Sequence, residues 1–176
     1  MTDLSLQEKR AAVFHLTTTR EGLLEALEGL TDHEWRSRPA ADRWSILEVV
    51  EHLAIVERRV HGVIGRMGAA PEAEPGRRNS EVDQFVLAAV ARRDRPVEAP
   101  APIQPKGQWS PEEALDQFLA GRKETLELLE TADCLRGRLL PHPLFGLWDG
   151  YQWILATAAH NARHTGQILE VRGRAI

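Results

Sequence analysis

Two histidines four residues apart, His160 and His164, give this sequence its clearest chemical signal. Residues at that spacing are neighbours on one helix face, so both imidazoles can point at a single ion. At about 100° per residue, Trp153, Thr157, His160, His164, Ile168 and Val171 line up as one stripe. A helix must bury that stripe, which carries the pair inward, where unpartnered polar groups are costly. With seven histidines in 176 residues, roughly 0.3 pairs at this spacing arise by chance. The pair alone therefore allows two readings, a metal site or two histidines hydrogen-bonded within the core.

Two imidazoles rarely hold a divalent ion tightly, so a metal reading requires a third ligand. His52 is the natural candidate, because it flanks a stripe of Val49, Leu53, Val56, Val60, Val63 and Met67. It reaches the core if its helix neighbours the last one; otherwise it is a half-exposed residue beside Glu48 and Glu51. Those two glutamates are the candidate catalytic bases, although Glu48 also fits a helix cap. His61 falls on the outer side of the same helix and His142 in a loop between prolines, which makes both weaker ligands. Cys134 has no evident partner and reads as inert. Trp44 and Trp153 lie near the proposed ligands and either line an apolar pocket or belong to the core. Trp35 and Trp109 are expected to staple loops to the helices. Imidazole donors suit Zn, Ni or Fe alike.

Positioning these groups requires long helices, and the sequence punctuates them. Ser5-Leu6-Gln7-Glu8 opens a helix over residues 5–30, and Ser45-Ile46-Leu47-Glu48 opens a second over residues 45–67. Residues 31–43 read as a connection, and residues 69–79, rich in Pro, Gly and Ala, as a loop. A shorter helix is expected over residues 80–93, with Phe85, Ala88 and Ala89 inward. Pro96, Pro100, Pro102 and Pro105 mark an extended linker. Ser110-Pro111-Glu112-Glu113 starts a helix reaching residue 131 that buries Leu115, Phe118, Leu119, Leu126 and Leu129. Asp149 caps the last, with Gln152 at its third position, running to residue 172 before Gly173. No segment reads as a strand. The expected fold is all-α, a four-helix bundle with one extra short helix in a single domain over residues 1–176, its topology open.

Composition narrows the function. Hydrophobic residues make up 43% and charged residues 27%, an ordinary globular balance. The net charge of −4 gives no pull toward nucleic acid or anionic membrane. No apolar run approaches the roughly 20 residues of a membrane span, and Met1-Thr2-Asp3-Leu4-Ser5 lacks the pattern of a signal peptide. A single cysteine excludes an internal disulfide framework and a Cys-rich metal site, and a reducing cytoplasm fits that usage.

Three separated segments carry a family resemblance. They are Trp44-Ser45-Ile46-Leu47-Glu48-Val49-Val50-Glu51-His52-Leu53, then His142-Pro143-Leu144-Phe145-Gly146 leading into Tyr151-Gln152-Trp153. The third is Ala159-His160-Asn161-Ala162-Arg163-His164-Thr165-Gly166-Gln167-Ile168. In order and spacing the chain resembles the DinB/YfiT-like metal-binding four-helix bundles along nearly its whole length, residues 80–105 being less typical. The resemblance implies a three-histidine metal site of His52, His160 and His164. Some relatives transfer small thiols such as bacillithiol or mycothiol to electrophiles, and others isomerise maleylpyruvate with a thiol cofactor. It implies for this chain a metal-dependent transferase joining a low-molecular-weight thiol to a small electrophile, or a related hydrolase. A homodimer and a small-molecule substrate are the expected partners. The alternatives are a non-catalytic binding or stress-linked module, and a structural bundle whose histidines only bond one another.

Overall fold

Quartets that pair a Ser, Thr or Asp with a Glu or Gln three residues on set most of the helix starts. The computed structural model describes residues 4–74, 77, 79–94 and 98–173. In it Ser5 and Glu8 form a complete capping box on α1 (Leu6–Leu27), and Thr31 and Glu34 on α2 (Asp32–Arg36). Ser45 and Glu48 do the same for α3 (Ile46–Ile64), after which comes α4 (Asn79–Ala91). Ser110 and Glu113 cap α5 (Pro111–Thr131), and Asp149 and Gln152 cap α6 (Gly150–Val171). Each box satisfies backbone donors that the first helical turn leaves without partners.

The structure differs from the sequence expectation in several places. Helix α1 ends at Leu27 because Glu28 is extended and Gly29 takes φ +71°. The expected connection contains α2, whose Thr31 box the sequence reading passed over and whose Trp35 is buried. Helix α3 stops at Ile64, and a 3-10 turn, Met67–Ala69, follows. The inner face of α4 is Val86 and Val90, whereas Phe85 is 52% exposed and lies edge-on to Phe145. A hairpin also forms where none was expected: β1 (Leu140–His142) pairs antiparallel with β2 (Gly146–Trp148). Strands of three residues are too short to show alternation, and Gly146 at φ +87° closes the turn. Pro96 of the expected linker and the Pro75-Gly76 step of the expected loop lie outside the described residues.

Cross-helix contacts give the topology that the sequence left open. The Tyr151 hydroxyl donates to the Glu8 carbonyl and Arg172 to the Ala26 carbonyl, so α1 and α6 run parallel. Arg58 meets Gln117 and His61 meets Thr125, so α3 and α5 are parallel too. His52, early in α3, meets His160 at the middle of α6, and Ile64, at the end of α3, approaches Gly150 at the start of α6, so α3 and α6 are antiparallel. The result is a four-helix bundle in which α1 and α6 point one way and α3 and α5 the other. Successive long helices α3 and α5 that run parallel need a long crossover. Helix α4 supplies its return leg along α6: Asp83 meets Gln152, and further on Arg93 lies on Gly166 and pairs with Glu170. Among the described residues no helix is long and apolar enough to cross a membrane.

The core falls into two apolar clusters. One gathers around Leu16, Met67, Leu129 and Ile154, the other around Leu23, Ile46, Phe118 and Ile168. A polar level separates them. Arg122, fully buried, donates to Glu57 Oε1 from Nε at 2.8 Å and Nη2 at 2.5 Å, and to the Leu16 carbonyl at 2.8 Å. Thr125 Oγ1 donates to the other Glu57 oxygen at 2.5 Å.

Candidate metal centre

The three histidines singled out from the sequence meet in the structure. His52 stands on the second turn of α3, and His160 and His164 on successive turns of α6. His160 Nε2 lies 3.1 Å from His52 Nε2 and 3.1 Å from His164 Nε2. Among the described residues this is the one group of three or more His, Cys, Asp or Glu side chains whose ligand atoms lie within 4.8 Å of one another. His52 and His164 are buried, while His160 keeps partial exposure with its Nδ1 buried and unpartnered.

Outer hydrogen bonds fix which nitrogen carries the proton in two of the three rings. His52 Nδ1–H donates to the Ile103 carbonyl at 2.6 Å, and His164 Nδ1–H donates to Gln167 Oε1 at 2.8 Å. Both Nε2 atoms are then bare lone pairs in the neutral rings. His160 Nε2 faces both and holds at most one proton, which can satisfy only one of them. Protonating the rings is also unfavourable. Burial pushes His52 down to about 4, with the Ile103 bond opposing it in part. Burial and then the His52 charge push His164 down to about 3, and burial with the two neighbouring rings drives His160 well below its ordinary value. Three converging lone pairs short of protons fit a shared cation. Metal–nitrogen distances of about 2.0–2.1 Å place two ligand nitrogens of one ion about 3.0–3.4 Å apart, the range of the two contacts seen here. The donation of the second ring nitrogen to a carbonyl or amide oxygen is the outer-shell pattern of metal-binding histidines.

The other sequence candidates lie elsewhere. Glu48 caps α3 through the Ser45 backbone and hydroxyl and pairs with Arg38. Glu51 is buried and accepts from the backbone N–H groups of Lys106 at 3.0 Å and Gly107 at 2.8 Å. Both expected bases are thus engaged away from the histidines. His61 lies in the α3–α5 interface instead of on the outer side, with Nε2 2.9 Å from Thr125 Oγ1 and Nδ1 3.1 Å from Glu124. His142 and Trp153 belong to the hairpin's aromatic group with Trp148. Trp44 does wall the centre, its ring 4.9 Å from that of His52 and 6.4 Å from that of His164. Ile103, Gln167, Glu57 and Arg122 were missed. Gln167 follows His164 at i+3, and Glu57 and Arg122 interrupt apolar stripes, signals visible in sequence; the Ile103 carbonyl had none.

A helical bundle with a buried three-histidine group defines the class, and the chain belongs to the DinB superfamily, whose family profile matches residues 15–168. The uncharacterized protein YuaE of Bacillus subtilis strain 168 is 28% identical over 158 residues, covering 83% of this chain and 88% of the relative. YfiT from Bacillus subtilis, described as a probable metal-dependent hydrolase with an unusual four-helix bundle topology, superposes with a TM-score of 0.63 at 17% identity. The match covers 99% of this chain and 93% of that one. A DinB family member from Exiguobacterium sibiricum 255-15 superposes with a TM-score of 0.52 at 20% identity over 98% and 92% of the two chains.

Proposed function

We infer that this protein binds a divalent metal ion through His52, His160 and His164 and uses it to transfer a low-molecular-weight thiol to a small electrophile. The observation that carries the metal reading is the meeting of three Nε2 atoms with too few protons to join them. A divalent ion held by these three histidines would supply Lewis-acid chemistry, favouring the thiolate form of a small thiol or the hydroxide form of water. Zn, Ni and Fe all suit the donor set. The Ile103 carbonyl and the Gln167 amide keep two rings turned toward the ion, and Trp44 shields them from water on one side. Three protein ligands leave a position open for a small molecule, as in catalytic sites.

The thiol reading draws support from the engagement of Glu48 and Glu51, which leaves neither carboxylate free to serve as a general base for water. The description of YfiT favours hydrolysis as a second reading. Elemental analysis of tag-free protein tests the metal first. About one ion per chain is expected in the wild type and none in His160→Ala. No metal in either, after incubation with Zn, Ni and Fe salts, overturns the reading. Metal-loaded protein is then given a thiol with an aryl halide, or an activated ester alone. Thiol consumption dependent on the halide supports transfer, ester cleavage supports hydrolysis, and metal without either activity leaves a binding module.

A further inference from the structure

Glu51 is a charged side chain only 2% exposed, one residue before His52, and both its oxygens are spent on the backbone of the crossover. The same crossover presents the Ile103 carbonyl to His52 Nδ1. Two adjacent residues of α3 therefore clasp one strap, residues 101–107, by three hydrogen bonds of opposite sense: Glu51 accepts two and His52 donates one. The strap is stiff enough to carry position between those points. Ile103 N–H donates to the Pro100 carbonyl and Gln104 N–H to the Ala101 carbonyl, closing a 3-10 turn. Pro102 and Pro105 have fixed φ.

We propose that Glu51 is a positioning residue for the three-histidine site: by holding the amides of Lys106 and Gly107 it sets the Ile103 carbonyl, which keeps His52 protonated on Nδ1 with Nε2 toward the ion. This rests on the metal reading above. A glutamine at position 51 offers a single acceptor oxygen, so one of the two backbone donors loses its partner and meets an amide N–H2 instead. Released from that end, the strap no longer fixes Ile103, and His52 is free to turn or to move its proton to Nε2.

The experiment uses the full chain, metal-free, as wild type and Glu51→Gln. Zn2+ is titrated against a chromophoric chelator, and ring tautomers are read from nitrogen-15 NMR of the imidazoles. Glu51→Gln is expected to bind zinc about 10- to 100-fold more weakly, the cost of losing an outer-shell partner. His52 is expected to lose its Nδ1–H signature while that of His164 persists. Gly107→Val is the second variant, for use if Glu51→Gln does not fold. Gly107 has φ +65° and open space around it, so a branched side chain strains the strap without a clash. It should weaken zinc in the same direction with Glu51 intact. Zinc affinity within twofold of wild type in both folded variants overturns the proposal, as does an unchanged His52 tautomer in Glu51→Gln. A wild type that takes up neither zinc nor, in the same titration, nickel or iron overturns the metal reading, and the tautomer measurement then decides the role of Glu51 by itself.

Discussion

Arg122 sits in the middle of the buried face of α5, with Phe118 a turn before it and Leu129 beyond, and every polar contact it makes is inside the protein. Its stabilising effect depends on Glu57, since two charges taken from water offset that loss only when paired and fully hydrogen-bonded. Arg122→Met strands the Glu57 carboxylate, and about 3–5 kcal/mol of stability should be lost. Combining Arg122→Met with Glu57→Gln in one chain should recover most of that loss, because no buried charge is then left without a partner. Urea unfolding midpoints check this, and equal losses in the single and double variants would contradict the pairing. At this scale the shared face of His160 and His164 was readable from spacing, because i, i+4 residues lie together, whereas joining His52 to them took the family resemblance. Arg122 was not anticipated, because a charge within an apolar stripe reads as solvent-facing until its partner on another helix is known.

The hairpin shows what an element adds. It turns His142 onto the rings of Trp148 at 4.1 Å and Trp153 at 4.9 Å between centroids, and burial pushes its imidazole down to about 4. The unfolded chain therefore binds a proton there before the folded one does. The contribution of neutral His142 is complete above about pH 6.5 and is lost as pH falls toward the folded value of about 4. His142→Phe keeps a ring and removes the titration, so the stability difference between wild type and variant should shift in the variant's favour from pH 7 to pH 5. Unfolding followed by tryptophan fluorescence checks it, and a difference that stays constant with pH would refute it. The imidazoles of His52, His160 and His164 are common to both proteins and drop out of the comparison. Helix starts at Ser5, Ser45, Ser110 and Asp149 were legible because capping is local. The short strands were not, since their pairing depends on a partner across the turn.

For the whole molecule, the three histidines bridge α3 and α6, antiparallel helices whose His52 and His160 are separated by more than a hundred residues of chain. An ion that binds only the folded arrangement stabilises it by mass action, about 2.7 kcal/mol at a hundredfold excess over Kd. Thermal unfolding with Zn2+ should therefore move upward by several degrees, return on adding a chelator, and be insensitive to zinc in His52→Ala. An equal shift in that variant would place the ion elsewhere.

By itself the sequence determined the helical class, most helix starts and the shared face of His160 and His164, because periodicity, capping and i, i+4 spacing are properties of one segment at a time. Only the tertiary structure decided the rest. Running α3 and α5 in parallel forces the chain back along α6 and then across the start of α3, which is why a carbonyl from residue 103 comes to lie against His52 and two amides against Glu51. Those contacts join residues more than fifty positions apart through backbone atoms that every residue possesses, so no side-chain pattern announces them. They are fixed by the path of the crossover, and that path turned Glu51 from an expected base into a clasp.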